Sequence, residues 1–109
     1  MKVYVRKEVW RAIRLFYYAS MQRYPSLTKD TVKTKVGRMQ VALHELGKYA
    51  TVLNIEPYMD TWKQKGYRTF YFEGWAFAYT IEQTDPISPV VLVHEAVHST
   101  LNYNPEDAF

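Results

Sequence analysis

The segment His94-Glu95-Ala96-Val97-His98 sets two imidazoles four residues apart with a carboxylate between them. On a helix that spacing brings both rings to one face, a single turn apart. They could then grip one zinc ion while Glu95 polarises its bound water for hydrolysis. On a strand the same two residues sit roughly 13 Å apart, at about 3.3 Å per residue, and share a face that no single ion spans. The chemistry therefore depends on the backbone. Val90-Val91-Leu92-Val93 leads in with β-branched residues after the turn-forming stretch Gln83-Thr84-Asp85-Pro86-Ile87-Ser88-Pro89, so a strand is expected. A third ligand would have to come from His44, Glu106 or Asp107. A zinc hydrolase using His94, His98 and Glu95 stays open as the alternative, and the main expectation involves no cofactor.

A second constellation is Lys63-Gln64-Lys65-Gly66-Tyr67-Arg68. If this stretch is extended, Lys63 and Lys65 point the same way and Arg68 opens the next strand. Three cations at one sheet edge could neutralise phosphates and stabilise charge developing at a scissile phosphodiester. A solvated charged turn is the plain alternative. Aromatic residues follow at Tyr67, Phe70, Tyr71, Phe72, Trp75, Phe77 and Tyr79. Alternation sends Phe70, Phe72, Trp75, Phe77 and Tyr79 to a core face and leaves Tyr71 as the exposed ring that could stack on a base. The four glycines are isolated, so there is no phosphate loop, and the absence of cysteine removes thiolate chemistry. Ser99 beside His98 makes no triad, because strand neighbours face opposite ways.

The elements that must position these residues are legible in the periodicity. Lys2–Val5 alternates as a short strand. Arg6–Tyr24 turns helical, with Val9, Ile13, Phe16 and Ser20 on one face and Pro25 as its stop. Thr28–Leu46 forms a second helix, with Asp30 in its first turn and Gly47 as a C′ residue. Two long helices so closely joined pack as an antiparallel hairpin. Residues 48–66 give no clear pattern. Tyr67–Phe72 and Trp75–Glu82 read as a hairpin around Glu73-Gly74, and Val90–Val97 as a last strand. The expected architecture is α+β: a strand, a helix pair, then a three-stranded antiparallel meander with the helices on one face. At 109 residues the chain is expected to be one domain, 1–109, with 103–109 as a loose tail.

All 14 Lys and Arg lie between Lys2 and Arg68, against 5 acidic residues, while residues 69–109 carry 6 acidic residues and no Lys or Arg. The first part is thus +9 and the second −6. That asymmetry suggests a basic face able to meet nucleic acid or an acidic partner. No apolar run nears the roughly 20 residues of a membrane span, and the charged N-terminus lacks the apolar stretch of a signal peptide. A cytoplasmic location is expected.

Together, KVYVRKE, two amphipathic helices, GYRTFYFEGWAFAYTIE and a last strand running into VHSTLNY resemble the RelE/ParE toxin superfamily of bacterial toxin–antitoxin pairs. The likeness covers about residues 2–103 and is one of layout and weak motifs. It implies growth inhibition by metal-independent mRNA cleavage on the ribosome or by DNA gyrase poisoning, with neutralisation by an antitoxin. In the ribonuclease branch, Lys63, Lys65 and Arg68 match the basic residues around the second strand. Tyr103 matches the late tyrosine, and His98 falls where a His or Arg often lies. Trp75-Ala76 stands where the family carries an arginine. A non-catalytic interaction domain on the same fold is the remaining alternative.

Overall fold

The computed structural model describes residues 1–83 and 88–99. Tyr103, the 103–109 tail, Glu106 and Asp107 lie outside the described residues, as do positions 84–87 of the turn-forming stretch. Among the described residues the elements run β1 (Val3–Val5), α1 (Lys7–Arg23), α2 (Lys29–Leu46), α3 (Asp60–Gln64), β2 (Arg68–Phe72), β3 (Trp75–Glu82) and β4 (Val90–His98). No helix is long and apolar enough to cross a membrane.

Helices and strands coexist as expected for an α+β chain, and the three later strands form the antiparallel meander. The sheet has one more member. β1 pairs parallel with β4, giving a four-stranded mixed sheet in the order β1-β4-β3-β2. A three-residue strand cannot stabilise itself, and docking on β4 satisfies its backbone groups.

Local chemistry explains the boundaries. Thr28 caps α2, its Oγ1 accepting from the Thr31 N–H at 3.2 Å. Gly47, expected as a C′ residue, is the cap of α2 itself and is right-handed (φ −56°). Its need for glycine is steric: a Cβ there would collide with the Met1 carbonyl oxygen. Glu73 (φ 44°) and Gly74 (φ 84°) make the two-residue β2–β3 turn with both central residues left-handed.

The helix pair reverses direction. Met21 near the end of α1 shares a groove with Val32 near the start of α2, while Gly47 after α2 meets Met1 ahead of α1. The main core lies between these helices and one sheet face. Val9, Ile13 and Tyr17 of α1 and Met39, Leu43 and Leu46 of α2 pack with Trp75, Phe77, Tyr79, Val91 and Val93. Buried polar atoms in this core are paired. Trp75 Nε1 donates to Tyr17 Oη at 3.2 Å, and Tyr79 Oη donates to the Ala50 carbonyl at 2.8 Å.

The opposite sheet face has its own small core, which the sequence did not announce. Trp62 of α3 is 1% exposed and packs on Ala76 and Ala78, flanked by Tyr58, Met59, Tyr67 and Val97. The two alanines leave room for the indole on the face that Phe77 and Tyr79 turn away from. The unpatterned 48–66 stretch thus carries a helical turn whose one large apolar residue anchors it.

Candidate functional site

β4 is a strand through the HEAVH pentapeptide, but not a regular one. Ala78 pairs with Glu95 while Tyr79 pairs with Val93, so His94 is an extra residue in the β4 side of the ladder. Such a bulge resets the alternation. Before it, Val91 and Val93 face the long helices; after it, Ala96 and His98 do. His94 and Glu95 both turn to the α3 face, where His94 meets Tyr67 and Glu95 meets Lys65. The expectation that His94 and His98 share a face is therefore corrected: the bulge puts them on opposite faces. The pair cannot hold one zinc ion. Among the described residues no group of three or more His, Asp or Glu is arranged to hold a metal.

His98 sits on the long-helix side. Its ring stacks on Phe16 at 4.2 Å between centroids and meets Trp75 edge-on at 5.1 Å. Burial, then the nearby Lys35, holds its pKa below the ordinary value. A Cβ on Gly74 would come within 3.0 Å of His98 Nε2, so the turn glycine and this ring are packed against each other.

The basic residues expected at one sheet edge do not converge. Lys63 belongs to α3 and Lys65 is its right-handed cap, so the two are not extended and the i, i+2 argument does not apply. Arg68 does open β2, yet its guanidinium turns to the loop after α2 and donates to the Ala50 and Thr51 carbonyls at 3.3 and 3.4 Å. Of the three, Lys65 alone joins the cluster around His94.

That cluster occupies the α3 face. The His94 ring lies parallel to Tyr67, with centroids 4.6 Å apart and planes 6° from parallel. Lys65 Nζ stands 5.6 Å from the Tyr67 ring centre and 4.0 Å from Glu95 Oε2. Glu95 Oε2 is buried and accepts no hydrogen bond, which makes the lysine its compensating charge. His94 Nε2 and Thr80 Oγ1 are 2.7 Å apart, and Thr80 Oγ1 donates to Glu82 Oε1, also at 2.7 Å. Burial first, then Arg6, pushes the His94 pKa below its ordinary 6.5, against the opposing pull of Glu82 and Glu95, with Lys65 adding to the depression. A neutral imidazole near pH 7 is a competent base.

Thr80 and Glu82 were not singled out by sequence, because an alternating strand ending in Thr-Ile-Glu resembles any polar sheet edge. His94 was noticed for a metal-binding pattern it does not form. The available signal was the β-branched run entering the pentapeptide, which argued for a strand. Nothing local announced the bulge. Tyr71 is 47% exposed, as alternation predicted, and lies edge-on to Tyr58 at 6.0 Å between centroids.

No family model, curated protein or solved structure matches the chain.

Proposed function

We propose that this chain is a toxin-like protein that arrests growth by metal-independent cleavage of mRNA and is silenced by an antitoxin. The observation that carries the reading is the cluster on the α3 face: an imidazole poised neutral near pH 7, an ammonium beside it, and an aromatic surface. Phosphodiester cleavage without a metal needs a base for the attacking hydroxyl, a cation for the phosphate and a means of orienting the nucleotide. His94, Lys65 and the Tyr67 ring supply these chemical types within a few ångströms of one another. Tyr71, exposed on the same sheet face, adds a ring on which an unpaired base can stack. The basic first part of the chain supplies long-range attraction for RNA.

The antitoxin reading draws support from the groove between α1 and α2. Leu15, Tyr18, Met21, Val32 and Val36 line it, with Arg11, Arg14, Lys29 and Lys33 around it. An acidic segment with apolar anchors suits such a surface.

Expression of the chain alone in bacteria should arrest growth and leave cleaved mRNA in the arrested cells. Lys65→Ala should relieve the arrest, and Lys63→Ala, outside the cluster, should relieve it less. Arrest with intact mRNA and altered plasmid supercoiling would point to gyrase instead. No arrest would support an interaction domain.

A further inference from the structure

We propose that Glu82, Thr80 and His94 form a hydrogen-bond relay that makes His94 Nδ1 the general base for the 2′-hydroxyl of an RNA substrate, with the β4 bulge bringing Glu95 and its partner Lys65 to the same face. The substrate rests on the reading under Proposed function; the relay rests on hydrogen-bond directions alone.

Those directions are fixed by what each group can do. A Glu82 carboxylate only accepts, so the single Thr80 hydroxyl hydrogen goes to Glu82 Oε1 at 2.7 Å. The Thr80 oxygen can then only accept from His94, which must present Nε2–H across the second 2.7 Å contact. The neutral ring therefore carries its proton on Nε2 and keeps the Nδ1 lone pair for an incoming proton. Tyr67 fixes the ring plane by parallel stacking at 4.6 Å.

The bulge decides which residue accompanies His94 on that face. Without the extra residue, β4 would alternate regularly from Val93, which faces the long helices, and Glu95 would face them too. With it, His94 and Glu95 share the α3 face, and Glu95 holds Lys65 near the base.

In the reaction, His94 Nδ1 takes the proton of the 2′-hydroxyl as that oxygen forms its bond to phosphorus. The bond from phosphorus to the 5′-oxygen breaks, and the 5′-oxygen leaves with the electron pair and takes a proton from water. The imidazolium then returns its proton to the hydroxide so formed. The products are a 2′,3′-cyclic phosphate and a 5′-hydroxyl. Thr80 and Glu82 are positioning residues: they fix the tautomer, and the carboxylate stabilises the imidazolium through the hydroxyl. The charged groups facing His94 are Arg6 after β1, Lys65 at the end of α3, Glu82 on β3 and Glu95 on β4. The two cations oppose the imidazolium and the two carboxylates favour it.

Two measurements on the full chain test this. Proton–nitrogen NMR of the His94 ring should show the Nε2–H tautomer near pH 7, lost in Thr80→Val and kept in Thr80→Ser. With a single-stranded oligoribonucleotide, His94→Gln should lower cleavage on the order of 10²-fold or more. Thr80→Val should also lower it, Thr80→Ser should restore it, and Glu82→Gln should move the ascending limb of the pH–rate profile to lower pH. An Nδ1–H tautomer in the wild type overturns the relay whatever the activity. Cleavage by the wild type with an unchanged rate in His94→Gln overturns the base assignment alone. The expected tautomer without RNA cleavage by the folded wild type overturns both the base assignment and the ribonuclease reading.

Discussion

His94 and His98 differ by four positions and by everything that surrounds them. One lies on a tyrosine ring at a polar sheet face; the other is held between Phe16 and Trp75 beneath the long helices. Both have depressed pKa values, with burial as the first cause. The consequence for stability has a definite sign. Below the ordinary 6.5 the unfolded chain binds protons that the folded chain resists, so the fold loses stability as pH falls through that value toward the depressed ones. Urea midpoints measured between pH 7.5 and 5 should therefore drop. In His98→Leu the drop should be smaller, and a slope identical to wild type would show that His98 does not titrate in this way.

At the scale of elements, α3 is the least anticipated part and among the most testable. Trp62 is buried to 1% exposure against Ala76 and Ala78. Trp62→Ala should cost about 3–5 kcal/mol in chemical denaturation, in line with large-to-small changes at buried aromatics. A loss under 1 kcal/mol would mean that α3 does not contribute to the fold. At the β2–β3 turn, Gly74→Ala should destabilise by about 1–3 kcal/mol, since a side chain is strained at φ 84° and its Cβ approaches His98. The two long helices and the hairpin were legible because apolar periodicity and the Glu73-Gly74 turn are local signals. The parallel docking of β1 on β4 was not, because it depends on residues some 88 positions apart meeting, such as Val3 and Val91. Nor was the bulge, whose register is set by how β3 and β4 pair and not by any residue of β4 alone. The site inherits that limit: Lys65 and His94 were visible as residue types, but their convergence required the bulge and α3 together.

The whole molecule divides its chemistry between its two faces. The helix pair carries a basic-rimmed apolar groove with Leu15 at 63% and Tyr18 at 62% exposure, whereas the α3 face gathers Thr80, Glu82, Glu95 and Lys65 around His94. Under the proposed toxin reading, with the groove as the seat of an antitoxin, a Leu15→Glu, Tyr18→Glu double variant should still arrest growth yet escape neutralisation. Retained neutralisation would move the partner elsewhere. For the proposed cleavage of RNA through His94 the decisive comparison is purified wild type against His94→Gln on the same oligoribonucleotide, with no divalent metal and a chelator present. The wild type should yield a 2′,3′-cyclic phosphate product, and the variant should lose it on the order of 10²-fold. Equal cleavage by the two proteins, or none by the folded wild type, would contradict the proposal.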